Sequence, residues 1–184
     1  PVYNDWQSVS KLLDDINFNL SNLDHEISVI IINDASNHDR NEEEKNFENI
    51  SSIKILNMKI NQGHARCIAT GLKYIYEKEN FDYVIPMDGD GEDRPEEILS
   101  LLEKTREFSN APIVGARVKR TEGFIFQSCY FIHKFLTFVL TGKKINFGNY
   151  TCLPYSTVEK LLNDKAIWSS FSGALAKVEK IKYS

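Results

Sequence analysis

The chain predicts a mainly parallel α/β sheet flanked by helices, and three observations carry that expectation. Runs dominated by β-branched residues stand where strands covered on both faces would lie, above all Ile27–Ile32, broken only by Ser28. Helical periodicity fills the intervals, as in Ala65, Ile68, Ala69, Leu72, Ile75 and Tyr76. Polar and acidic residues cluster just after the strands, at the carboxyl ends where open α/β sheets bind ligands. With 184 residues, 42% hydrophobic and 26% charged, the chain is one domain long enough to bury a core.

The elements follow in order. Pro1-Val2-Tyr3-Asn4 reads as the end of a strand. Val9, Leu12, Leu13, Ile16, Leu20 and Leu23 recur at helical spacing and predict an amphipathic helix over Asp5–Leu23. The strand Ile27–Ile32 ends in Asn33-Asp34-Ala35-Ser36-Asn37, a cluster of turn formers. A charged stretch, Asp39–Glu48, reads as a solvated helix or loop before the next strand, Ile53–Met58. Asn61-Gln62-Gly63-His64 then opens the second helix.

The strand Tyr83–Met87 runs into the acidic loop Asp88-Gly89-Asp90-Gly91-Glu92. Asp93 and Glu96 are spaced as a capping box for a helix carrying Ile98, Leu101, Leu102 and Phe108. Ile113-Val114 is a further short strand. Beyond Arg117 the chain turns strongly apolar over Phe124–Leu140. Ser156 and Glu159 form a second capping box before Leu161-Leu162, and Val178–Tyr183 reads as a last strand. No repeat, low-complexity segment or flexible linker interrupts this order. Opening without Met and closing on a strand, the chain is expected to be a fragment lacking the first strand's start and the C-terminal end.

Composition narrows the partners. A formal charge of −4 argues against nucleic acid, which selects clustered Lys and Arg. Cys67, Cys129 and Cys152 are widely spaced without a CxxC, as in reduced cytoplasmic thiols. No signal peptide is evident, and no apolar run reaches the roughly 18 residues that would span a bilayer. Phe124–Leu140 is either a buried helix or one lying in the membrane interface, with Lys134, Lys143 and Lys144 toward lipid phosphates.

The acidic loop carries most of the chemistry. Asp88, Asp90 and Glu92 at the end of a buried strand repel one another, and a hard divalent cation, Mg²⁺ or Mn²⁺, resolves that conflict. An EF-hand fails, because its sixth and twelfth loop places hold Asp93 and Leu99. An aspartyl phosphatase would have Thr or Val where Glu92 stands. Helix capping alone needs one carboxylate, and Asp93 supplies it. The favoured reading is a metal bridge to a nucleotide diphosphate.

Other candidates surround the loop. The Asp34 carboxylate can accept from the N3–H of uracil or the N1–H and N2–H of guanine, or serve an Asx-turn. Gly63, at a helix N-terminus, offers amides to a phosphate. His64 is either a ligand or a helix-start hydrogen-bonder. Arg117 either grips a phosphate bidentately or makes a surface ion pair.

Four segments occur in sequence: Pro1-Val2-Tyr3-Asn4-Asp5, Val29–Ser36, Asn61-Gln62-Gly63-His64 and Met87–Glu96. Together they resemble the inverting GT-A glycosyltransferases of family 2, nearest the dolichol- or undecaprenyl-phosphate sugar synthase branch. That resemblance implies a nucleotide-sugar-binding half over residues 1–120 and an acceptor-side half over 121–184. It implies that Pro1, Tyr3 and Asp5 border the nucleotide, with Asp5 where Glu is more usual, and that Asp34 reads the base. Asp88 and Asp90 become the D-x-D pair meeting cation and donor, and Glu92 a further metal contact where the branch often has Gln.

Gly115-Ala116-Arg117 resembles the Gly-Ser-Arg leading to the acceptor, with Arg117 near an acceptor phosphate. The implied reaction is metal-dependent, inverting sugar transfer from a UDP- or GDP-sugar to an acceptor such as a polyprenyl phosphate. The resemblance also implies a role in cell-envelope polysaccharide synthesis, in the cytoplasm or at the inner face of the membrane. In one departure, the family's Asp-x-Gly near the acceptor reads Asn146-Phe147-Gly148-Asn149-Tyr150, which leaves a general base unlocated. Two other readings stand beside this one. They are a sugar-nucleotide pyrophosphorylase, which would need a Gly-rich basic loop after its first strand, and a non-catalytic sugar-nucleotide-binding domain.

Overall fold

The computed structural model describes residues 1–21, 23–38, 45–115 and 147–184. The readings placed on Asp39–Glu44, Ala116, Arg117, Phe124–Leu140, Cys129, Lys143, Lys144 and Asn146 lie outside them.

The first helix, α1 (Trp6–Asn19), is capped by Asp5, whose carboxylate accepts from the Ser8 amide at 3.2 Å. Its Val9, Leu12, Leu13 and Ile16 are buried, the stripe that the sequence spacing predicts. The strands β1 (Ser28–Asn33) and β2 (Ser52–Asn57) pair in parallel from Ser28↔Ser52 to Asn33↔Asn57. Val2 adds a parallel bridge to Asn33, so the chain start lies beside β1 as the end of a strand.

Successive side chains of β1 point to opposite faces, and both faces are covered. Ile31 joins Val9, Leu12, Leu13 and Ile16 of α1 in one core cluster. Ile32 meets α2 (His64–Lys78), where Gly71 comes so near that an added Cβ would lie 3.2 Å from Ile32 Cγ1. Ile31 and Ile32 are 6% and 3% exposed. Burying each stabilises the fold by about 1.5–3 kcal/mol, and the run Val29–Ile32 owes its unbroken hydrophobicity to these two helices.

The remaining strands form a second sheet in the order β3-β5-β4-β6: β3 (Tyr83–Val84), β5 (Thr151–Pro154), β4 (Ile113–Val114) and β6 (Lys182–Tyr183). β4 and β6 run parallel, whereas β5 is antiparallel to both β3 and β4. The sheet is therefore mixed rather than mainly parallel in this half, because β5 returns between two strands that share a direction. The helices α3 (Glu97–Thr105), α4 (Tyr155–Leu162) and α5 (Phe171–Val178), with a 3₁₀ turn at Lys165–Trp168, complete the described elements. A second core cluster joins Ile68, Ala69 and Leu72 of α2 to Leu153 of β5, Val158 and Leu161 of α4, and Ala174 and Leu175 of α5. Among the described residues no helix is long and apolar enough to cross a membrane.

Four local expectations are corrected. The strand expected over Tyr83–Met87 pairs only at Tyr83 and Val84, and Pro86 beyond them has no amide to donate. Glu96 makes no side-chain capping bond, and Asp93 instead accepts from the Asp88 amide at 2.8 Å. Ser156 lies inside α4, whose N-cap is Pro154, and Glu159 accepts from the Tyr76 hydroxyl at 3.1 Å. The last strand is confined to Lys182–Tyr183, because α5, held by a Ser170 cap onto the Gly173 amide, runs on to Val178.

Candidate functional site

Main-chain pairing brings the chain start to the end of β1. The Val2 amide donates to Ile32 O and the Asp34 amide to Val2 O, each at 2.8 Å. The turn beyond β1 then folds around Asn4. The Asn4 amide donates to Ser36 Oγ at 2.9 Å, and Asn4 Oδ1 accepts from the Asn37 amide at 2.7 Å. The Ser36 amide donates to Asn33 Oδ1 at 3.0 Å. Asn33 and Ser36 thus shape the turn as their residue types predict. Asn4 and Ala35 take left-handed φ values of 57° and 58°.

Asp34 sits at the centre of this arrangement, 4% exposed. Its two oxygens accept from the Gln62 and Gly63 amides, each at 2.8 Å. A buried carboxylate is tolerable only when so satisfied. The bonds fix the entry to α2, where Gly63 adopts φ 85°, a conformation open to glycine without strain. The Gly63 amide, expected to face a phosphate, thus donates to Asp34. Cys67, one turn into α2, is fully buried beside it, and burial first, then hydrogen bonding to Asp34, push its thiol up to about 11.

The acidic loop closes on itself. Asp93 Oδ2 takes the Asp88 amide, and Asp90 Oδ1 takes the Glu92 amide at 2.9 Å. Gly89 is forced by proximity, since an added Cβ would lie 2.5 Å from Pro1 O and 3.3 Å from Val9 Cγ2. Asp88 Oδ1 stands 3.2 Å from His64 Nε2, which lies 2.7 Å from Asn149 Nδ2. Tyr150 donates its hydroxyl to Arg94 O at 2.7 Å, and burial, with nearby carboxylates, raises its phenol far above the ordinary range.

These segments enclose a cleft of about 270 Å³ lined by Pro1, Val2, Tyr3, Asp5, Asp34, His64, Cys67, Asp88, Gly89 and Asp90. Six residues singled out from sequence for the donor site (Pro1, Tyr3, Asp5, Asp34, Asp88 and Asp90) meet there. Gly63 lies behind it through Asp34. Glu92 is exposed and does not line the cleft. Arg117 lies outside the described residues. A neighbouring cleft of about 290 Å³, between α1 and the loop, shares Asp90 but holds none of the other five. Cys67 and Gly89 carried no functional expectation from sequence, and the Asn149 contacts join positions 61 and 85 residues apart that no local pattern connects.

The cleft can take a divalent cation in one particular manner. Among the described residues no three His, Cys, Asp or Glu side chains are grouped as a ready-made metal cage. Asp88 and Asp90 nevertheless face the same opening. One or two carboxylates completed by substrate phosphates is how Mg²⁺ is ordinarily held in phosphate-handling sites. Two carboxylates on one opening fit a cation whose remaining ligands a bound phosphate would supply.

Comparison with known proteins bears on the family and the fold. A curated relative, "Uncharacterized protein MJ0544" of Methanocaldococcus jannaschii, is 24% identical over 119 residues, covering 64% of this chain and 49% of its own length. Two solved structures of S. aureus TarS, one of them residues 1–349, superpose over 100% of the chain with TM-scores of 0.56 and 0.60 at 14% identity. The chain spans 56% and 34% of those two structures and about half of the curated relative. At such identity the likeness to TarS is one of fold, and it bears out the α/β GT-A architecture expected from sequence. The model of the family described as "Glycosyl transferase family 2" matches residues 1–168, nearly the whole chain, so this chain belongs to that family.

Proposed function

We propose that the chain is the donor-binding and part of the acceptor-side portion of a metal-dependent inverting glycosyltransferase. It would move a sugar from a UDP- or GDP-sugar to an acceptor. The observation that carries this reading is the convergence of Asp88 and Asp90 with Asp34, Pro1 and Tyr3 on one cleft at the strand ends. Residues 1–120 form the donor half and 121–184 the acceptor side.

Each residue has a physical role. Tyr3, 48% exposed, offers a ring to the base. Asp34 keeps acceptor capacity after serving Gln62 and Gly63, since a carboxylate has about four lone-pair sites, and it takes the base N–H groups. Asp88 and Asp90 hold Mg²⁺ or Mn²⁺ against the diphosphate, with Glu92 available from the same loop. Bound there, the cation supplies Lewis-acid neutralisation of the leaving diphosphate. Arg117 binds the acceptor phosphate.

The acceptor is a phosphate such as a polyprenyl phosphate. Residues 147–150 present Asn149 and Tyr150 rather than a carboxylate base, and an ionised phosphate needs no base to attack. Such an acceptor places the full-length protein at the inner face of the membrane. The same lack of a carboxylate favours, as a second reading, a domain that binds sugar nucleotides without transfer.

Thermal shift of the full-length protein against UDP- and GDP-sugars, with and without Mn²⁺, tests the proposal. Nucleotide and metal together at 100-fold over the dissociation constant should stabilise by about 2.7 kcal/mol. Asp90→Asn should lose both that stabilisation and transfer while keeping the ligand-free melting temperature. Absence of any shift in the wild type would defeat the reading, and stabilisation without donor turnover would favour the binding domain.

A further inference from the structure

We infer that Asn149 is a positioning residue that sets Asp88 and His64 in their orientation toward the cleft, with Tyr150 as its companion on the same loop. The inference goes beyond the proposed function and relies on it only for the consequence in donor binding.

The geometry is a triangle of polar atoms. Asn149 Nδ2 lies 2.7 Å from His64 Nε2 and 3.5 Å from Asp88 Oδ1, and those two atoms are 3.2 Å apart. A carboxamide nitrogen carries two diverging hydrogens, so one side chain can serve both neighbours. The adjacent residue acts on the same loop, because the Tyr150 hydroxyl donates to Arg94 O at 2.7 Å. Asn149 and Tyr150 therefore hold the acidic loop at Asp88, where it begins, and at Arg94, just past its end. Both precede β5, the strand between β3 and β4, which gives them a rigid base.

The loop's own bonds, Asp88 N to Asp93 and Glu92 N to Asp90, fix its internal shape. They do not fix its placement against α2, which bears His64. The Asn149 carboxamide, reaching both His64 and Asp88, reinforces the direct contact between them. A neutral donor is suited to the place, since a carboxylate there would add like charge beside Asp88.

The test uses the full-length protein and two readouts. One is the ring NMR signals of His64 without ligand, assigned by their loss in His64→Gln. The other is the affinity for UDP- and GDP-sugars in Mn²⁺. Asn149→Ala should shift the His64 signals, keep the ligand-free melting temperature and weaken donor affinity about tenfold, the scale of one hydrogen bond to a charged group. Asn149→Asp, of the same shape without the NH₂, should fail to restore affinity, and it decides the matter should the alanine variant not fold.

Unchanged His64 signals with wild-type affinity in Asn149→Ala, or full affinity in Asn149→Asp, would overturn the inference. If the wild type binds no donor, the proposed function fails, and the His64 signals alone decide the role of Asn149.

Discussion

Replacing Gly89 with Ala should disturb the site more than its single added methyl suggests. The new Cβ would stand 2.5 Å from Pro1 O, whereas ordinary contact begins at 3.4 Å, a shortfall of 0.9 Å. Pro1 cannot easily withdraw, because the next residue is fixed by the Val2 amide to Ile32 O and by Val2 O from the Asp34 amide. Val9 Cγ2, at 3.3 Å on the other side, belongs to a β-branched side chain with little freedom in a helix. The acidic loop must therefore move, and Asp88 and Asp90 flank the substituted position. Overpacking of this kind costs about 1–3 kcal/mol. A misplacement approaching 1 Å at a reacting site can lower activity on the order of 10²-fold. Urea unfolding measures the first quantity, and metal-dependent thermal shift with sugar nucleotides together with transfer rate measures the second. Stability within about 0.5 kcal/mol of wild type, joined to unchanged donor stabilisation, would show that the Pro1 carbonyl does not confine the loop.

Two further substitutions probe the C-terminal part of the chain, around β5 and α5. Thr151, in β5 opposite Val114, is fully buried, and its hydroxyl has no hydrogen-bond partner among the described residues. Thr151→Val should raise stability by about 1 kcal/mol in urea unfolding, and a loss instead would mean that the hydroxyl is satisfied. Lys177 Nζ lies 2.6 Å from Asp164 Oδ2 and is the largest cause lowering that carboxyl below 3.8, followed by the Ala166 amide. A depressed carboxyl stabilises the fold above its unfolded value and ceases to as pH falls through the folded one. Lys177→Met should therefore be less stable than wild type from neutral pH down to about 3.8, with the gap closing below. An equal gap at pH 7 and pH 2 would refute the ion-pair account.

The N-terminal part of the chain was legible because local patterns are strong there. The stripe of Val9, Leu12, Leu13 and Ile16 gives α1, and the run before Asn33 gives β1, since a strand buried on both faces has no reason to alternate. Asp34 and Asp88 could be singled out because a carboxylate at the end of such a strand is costly without a partner. Their partners were not legible. Nothing in Gln62 and Gly63 says that their amides will meet Asp34. The spacing of Asp93 and Glu96 suggests a capping box, but the turn of the loop brings Asp93 to the Asp88 amide first. A capping motif fixes which groups could bond, and the tighter loop decides which do.

The least legible element is also the one that completes the site. β5 is four residues, Thr151-Cys152-Leu153-Pro154, all buried, with no alternation and a terminal proline that ordinarily argues against a strand. It exists because β3 and β4, some 70 and 40 residues earlier in sequence, leave a place between them that an antiparallel strand fills. α5 escapes notice for a similar reason, as eight residues around Gly173 are too short to show a period. Asn149 and Tyr150 reach Asp88 and Arg94 only because β5 holds the residues that follow them. The strand and the Asn149 and Tyr150 contacts thus share one cause. A segment whose conformation is set by long-range pairing hides both its structure and the contacts it delivers, whereas Asp88 and Asp90 declare themselves through the cost of their own charges.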